Sequence, residues 1–176
     1  MANDGRAVSG VRWIRLQLAA GAALTGASCW AIVGLRDGHA SAAFAAGGAA
    51  SLLAGGLSAH RVGTRAEQIA DGVLDRCFDG AVLGSIAWTA RTADPAVAAG
   101  ALVALCASFL SSYVRARGAA LGYEVEESVV TRTLRVALIV LGLASGWLWW
   151  TLWAVAGLCG LAAIVRTSQV VKEERA

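Results

Sequence analysis

Apolar runs alternate with short charged connections along the whole chain. Uncharged stretches occupy residues 18–35, 40–59 and 95–114, an apolar run at 69–90 carries charges in its first half, and a last run goes without a charge from 136 to 165. The first four are close to the ~20 residues with which a helix crosses a bilayer. The fifth is too long for one span and suits two, joined by a tight turn near Ser145 and Gly146. This pattern predicts an all-α membrane protein, a bundle of six transmembrane helices at approximately 15–35, 40–59, 68–90, 95–116, 132–147 and 149–168. Little chain remains outside the spans, so residues 1–176 read as a single transmembrane domain.

Composition supports a membrane protein. Hydrophobic residues make up 57% of the chain and charged ones 15%, against roughly 25% charged in soluble domains. Twenty-one glycines and one proline suit membrane helices that pack through small residues. With six spans and an inside N-terminus, one face receives Arg6, Arg12, Arg15, Arg61, Arg65, Arg76, Arg115, Arg117, Arg132, Arg135, Arg166, Lys172 and Arg175, and only Arg36 and Arg91 fall opposite. The positive-inside rule then puts both termini in the cytoplasm and the protein in the inner (plasma) membrane. A net charge of +3 is on this reading a topology signal, and no nucleic-acid partner is expected. Trp147, Trp149, Trp150 and Trp153 would mark the outer interface. The first apolar run lacks a cleavage pattern and reads as a retained span. Cys29, Cys77, Cys106 and Cys159 fall singly in different helices and read as small packing residues, while His39 and His60 read as surface groups.

The chemistry concentrates in the third run. Glu67, Asp71, Asp75 and Asp79 recur every four residues, so on a helix they form one drifting stripe of like charges. Each ionised carboxylate inserted into a membrane costs roughly 2.5–3.5 kcal/mol, which calls for a metal, basic partners or a water-filled cavity. Pairing of the aspartates with Arg76, Arg61 and Arg65 is the structural alternative. At the same membrane level, SSYVRARG supplies Arg115 and Arg117, and TRTLR supplies Arg132 and Arg135. Their forked guanidinium groups suit phosphate.

The segment DGVLDRCFDGAVLGSIAW, with SSYVRARGAALG and TRTLRVALIVLGL after it, resembles the CDP-alcohol phosphotransferase superfamily, most closely its phosphatidylinositol-phosphate synthases. The resemblance covers roughly residue 51 to the C-terminus. It implies six transmembrane helices, a homodimer, and a cytoplasm-facing cavity in which divalent metals (Mg²⁺ or Mn²⁺) hold the pyrophosphate of a CDP-linked lipid. Against the signature DxxDGxxAR…GxxxDxxxD, the second half is matched by Asp71 and Asp75, extended by Arg76 and Asp79. The resemblance makes Asp71, Asp75 and Asp79 metal ligands and Asp75 the catalytic base. It makes Arg115, Arg117, Arg132 and Arg135 the phosphate-binding set, with Ser112 and Arg65 also touching substrate. Thr131 and Leu134 depart from acidic positions of the arginine motif.

The first half of the signature departs further. With a one-residue gap, Ser51 and Ala54 fall on the two aspartate positions and only Gly55 survives. A site that clamps a pyrophosphate between metals needs hard oxygen ligands from both helices, so metal binding should be weakened or absent. Glu67 replaces the family's glycine, setting a bulky charge where close approach favours no side chain. Two readings stay open, beside a third, a small transporter or channel using the acid stripe as a proton or cation path, that has no sequence support beyond composition. One is a phosphotransferase that passes a phosphatidyl-type group from a CDP-linked donor to a phosphorylated alcohol, impaired in its metal-dependent step. The other is a non-catalytic pseudoenzyme that binds headgroups or regulates an active homologue, as a homodimer or as a heteromer with a related protein.

Overall fold

The computed structural model describes residues 4–35, 37–62, 64–123 and 129–173, folded into six long helices. They are α1 Asp4–Trp30, continued by one π-helical turn Ala31–Leu35, α2 Gly38–Val62, α3 Arg65–Ala90, α4 Pro95–Ala120, α5 Val129–Ser145 and α6 Leu148–Glu173. Four segments are long and apolar enough to cross a membrane: Arg12–Leu35, Gly38–Ser58, Pro95–Ala120 and Leu148–Val171. These fall on the first, second, fourth and sixth predicted spans. The other two helices depart from that pattern for physical reasons: α3 carries the acidic stripe, and α5 has 17 residues and opens with Arg132 and Arg135. The chain divides into two compact units, Met1–Val82 and Leu83–Ala176.

In the first unit α1 and α2 pack closely through small side chains. A Cβ on Gly21 would lie 2.6 Å from Leu52, which is itself buried, so the two helices approach at a distance that only glycine permits. Ala42, Ala45 and Ala49 continue the buried face of α2, and Ile14, Leu18, Ala31 and Ile32 that of α1. Such small-residue interfaces are how membrane helices gain packing where lipid removes the hydrophobic drive. Polar seams finish the contact: the Ser28 hydroxyl donates to the Ser41 carbonyl at 3.1 Å. The start of α2 is fixed by Asp37, whose carboxylate accepts from the backbone N–H groups of His39 and Ala40 at 2.9 and 3.1 Å.

The second unit begins inside α3 and is punctuated by its caps. Asp94 is the N-cap of α4, accepting from the Val97 N–H at 3.1 Å, and Pro95 occupies the first turn. The turn between α5 and α6 falls at Gly146, whose φ of 75° suits a residue without a Cβ. That is where the sequence predicted it. Trp149 meets Trp150 edge-on with ring centroids 4.4 Å apart, beside exposed Trp147. At the end of α3 the Arg91 guanidinium lies over the Trp88 ring at 3.7 Å.

The expectation that the cysteines pack internally holds for Cys159 only. Cys29 is half-buried, and Cys77 and Cys106 are exposed because their positions face away from the helix contacts. His39 is exposed as expected, while the side chain of His60 lies outside the described residues.

Replacing Gly21 with Val should lower stability by about 1–3 kcal/mol, because it overpacks the buried Leu52 and crowds the Gly48 carbonyl, 3.2 Å from a Cβ at that position. Gly157→Ala, where a Cβ meets nothing within 4 Å, should be neutral or slightly stabilising. Thermal unfolding in detergent measures both.

Candidate functional site

Helix α3 begins with a capping box. The Thr64 N–H donates to Glu67 Oε2 at 2.9 Å, and the Glu67 N–H reaches back to the Thr64 hydroxyl at 3.4 Å. The Thr64 hydroxyl also donates to Glu67 Oε2 at 3.1 Å. From α1, Arg15 Nε donates to Glu67 Oε1 at 3.2 Å. Glu67 lies ahead of the predicted span 68–90, and the Thr64 backbone donor, aided by the Thr64 hydroxyl and Arg15, holds its carboxyl below the ordinary range against the opposing cost of burial. The partner Arg15, 52 residues away, was not among those the sequence suggested.

The three aspartates of the stripe are buried: Asp71 is 3%, Asp75 7% and Asp79 0% exposed. Arg76 answers two of them from within the same helix. Its guanidinium donates to Asp75 Oδ2 and, through Nη1, lies 3.1 Å from Asp79 Oδ2. Of the three arginines proposed as structural partners, Arg76 takes that role, whereas Arg61 and Arg65 are exposed.

Asp71 faces α2 at Gly56, where a Cβ would come within 2.6 Å of both carboxylate oxygens. This contact fixes which side of α2 meets the stripe. At about 100° per residue, Ala54 lies about 200° around the helix from Gly56 and Ser51 about 140° away. Ala54 is accordingly exposed and Ser51 half-buried. The gapped alignment that set these two on the ligand positions therefore does not match the face that meets Asp71. Leu53 and Ala49, about 60° and 20° from Gly56, share that face. Neither carries a hard oxygen donor in any register. Among the described residues no three His, Cys, Asp or Glu side chains come together as metal ligands. The residues present do not fit a two-metal centre fed by both helices.

The arginine side is built on α4, α5 and α6. Arg135 is 4% exposed and its Nη1 donates to the Ser108 hydroxyl, itself fully buried, at 3.2 Å. Arg115 and Arg132 are half-buried, as is Ser112, and Arg117 is exposed. One further guanidinium joins them. Arg166 of α6 donates from Nη1 to the carbonyl and hydroxyl of Ser111 at 3.1 and 2.5 Å. Ser108 and Ser111 stand three residues apart on one face of α4. Arg166 had been read as a topology residue. Its only sequence signal was a charge at the end of an apolar run.

The face DxxxDRxxDG thus lies on one helix, and Arg135 and Arg166 are seated on buried serines of another. Sequence and fold comparisons find proteins of the CDP-alcohol phosphotransferase type among those this chain is similar to. Phosphatidylinositol phosphate synthase of Corynebacterium glutamicum is 38% identical over 84 residues, 46% of this chain and 38% of that protein. The same enzyme of Mycolicibacterium smegmatis is 29% identical over 120 residues, 64% of this chain and 54% of that protein. The chain thus spans about half the length, or less, of the curated relatives it matches. The crystal structure of Mycobacterium tuberculosis phosphatidylinositol phosphate synthase with CDP-DAG bound has a similar fold, with a TM-score of 0.72 at 22% identity over 88% of this chain and 85% of that one. No family model matches.

The lowered Glu67 value gives a signed pH dependence. Its hydrogen bonds contribute stability at pH above the ordinary carboxyl range and lose it as pH falls through the folded value. The native chain should therefore be more stable than Glu67→Gln near neutrality, and the gap should close on acidification. Parallel thermal scans against pH in detergent check this.

Proposed function

We propose that this protein is a phospholipid-biosynthesis relative that has kept the phosphate-binding side of a CDP-alcohol phosphotransferase and lost, or nearly lost, the metal-dependent transfer. The observation that carries the reading is Arg135, buried and held on Ser108. A buried guanidinium fixed by a neutral hydroxyl is oriented in advance for a phosphate oxygen, which lowers the cost of binding. Arg115, Arg117, Arg132 and Ser112 complete the phosphate set by resemblance, and Arg65 stands as a further substrate contact. The ligand is a phosphorylated alcohol headgroup or a CDP-linked lipid such as the CDP-DAG named for the Mycobacterium tuberculosis relative.

On the acidic side no step is assigned to Mg²⁺ or Mn²⁺, because α2 offers Gly56, Leu53 and Ala49 where ligands would be needed. The reading is thus a headgroup-binding or regulatory subunit, working as a homodimer or beside an active homologue. A catalytic reading is favoured by one observation, the retention of Asp71, Asp75 and Asp79 as buried groups on one helix. In that reading Asp75 takes the proton of the acceptor hydroxyl. The same proposal holds the chain to six spans in one transmembrane domain, with both ends in the cytoplasm of an inner-membrane protein.

Inositol phosphate or another sugar phosphate should raise the melting temperature in detergent, and Arg135→Ala should abolish the shift while Arg91→Ala at the far end leaves it. Equal behaviour of the two variants would refute the phosphate site. Titration with Mg²⁺ or Mn²⁺ should give no tight two-site isotherm. For the topology, reporter fusions at Asp94 and Ala176 should signal on opposite sides of the membrane.

A further inference from the structure

A groove of ≈ 280 Å³ runs between the first turn of α5 and the C-terminal half of α6. Its lining changes character along its length. Leu158, Leu161 and Val165 make it apolar at one end, and Thr131, Arg166 and Gln169 make it polar at the other. From Leu158 to Gln169 is about 16 Å at ~1.5 Å rise per residue, which suits an elongated ligand. Leu161 and Val165 are 61% and 45% exposed, so the apolar end is open sideways and a lipid chain can enter from the bilayer. Arg166 is fixed at the polar end through its bonds to Ser111, so its charge has a set position relative to that chain.

We propose that this groove binds an anionic phospholipid, one acyl chain lying against Leu158, Leu161 and Val165 and the headgroup phosphate meeting Arg166, Gln169 and the Thr131 hydroxyl. The volume of ≈ 280 Å³ lies just below the range for small-ligand sites, roughly 300–1,000 Å³, and so takes one chain. A sugar phosphate would gain nothing from the apolar half. A zwitterionic lipid would bring a cation to the guanidinium. The groove on the other side of α6 serves as an internal contrast: it is larger, ≈ 720 Å³, and is lined by Leu110, Val114, Ile164 and Val171 with no charged side chain. Its polar groups are the hydroxyls of Thr167 and Ser168, with no cation to select an anionic headgroup. The lipid groove adjoins the Arg135 phosphate site, since Ser111, which holds Arg166, stands three residues from the Ser108 that holds Arg135, but Arg135 does not line the groove.

Native mass spectrometry and thermal scans of the full chain in detergent, with phosphatidylglycerol, phosphatidylcholine of the same chains, and inorganic phosphate, test the proposal. Phosphatidylglycerol should bind and stabilise, phosphatidylcholine should bind about fivefold more weakly, and inorganic phosphate should not displace the lipid. Arg166→Gln should erase the preference between the two lipids. Ala162→Phe should fill the groove and remove the bound lipid while the sugar-phosphate shift persists; Val165→Phe, at an already exposed position, serves if the first variant does not fold. Arg135→Ala should remove the sugar-phosphate shift and spare the lipid preference, so the two sites fail separately. Equal affinity for both lipids, displacement by inorganic phosphate, or full lipid binding by the filled variants would overturn the proposal.

Discussion

The burial of charge in a chain this apolar is the constraint from which the local structure follows. Glu67, Asp71, Asp75, Asp79 and Arg135 are all less than a tenth exposed. A carboxylate or guanidinium withdrawn from water is tolerated only when nearby groups answer it with charge and hydrogen bonds. Arg76 does so from one and three residues away, Thr64 from a helix cap, and Arg15 from a different helix. Each solution fixes a side chain and with it a stretch of backbone. The entry to α3 is rigid because its capping glutamate is also an ion-pair partner.

Small residues supply the second condition. Without a hydrophobic drive between helices in lipid, close approach and polar seams hold them together. Gly21 against Leu52 and the Ser28–Ser41 bond do this for α1 and α2. Gly56 extends the same device to α3, but what it approaches is the Asp71 carboxylate. A residue that permits contact there cannot also reach a metal.

What was legible in the sequence was what repeats locally. Apolar runs, a four-residue carboxylate spacing, and Ser145–Gly146 in a long uncharged run each imply their structure from within a few residues. The helix α1, which begins at Asp4 although its apolar stretch starts later, was less so, since polar residues also continue a helix once it is nucleated. Contacts between distant positions left no such trace. Arg15–Glu67 and Arg166–Ser111 join residues 52 and 55 apart, and no periodicity announces them. The face of α2 that meets Asp71 was missed for a related reason. A one-residue gap turns every side chain by about 100°, and only the Gly56 contact reveals which face is inward.

The retained acidic stripe does not by itself demand a cation. Facing carboxylates on α2 and α3 would repel strongly in a low-dielectric site, and a divalent ion is one way to offset that. Removing the carboxylates from one helix is another. With Leu53, Ala49 and Gly56 on the facing side of α2, the repulsion between helices is gone, and what remains is repulsion along α3 itself. Arg76 lies within reach of both Asp75 and Asp79, and Glu67 is answered by Arg15 and Thr64. Part of the stripe's charge is thus answered within its own chain. Burial of these acids on one helix is therefore compatible with a structural role as well as with a catalytic one.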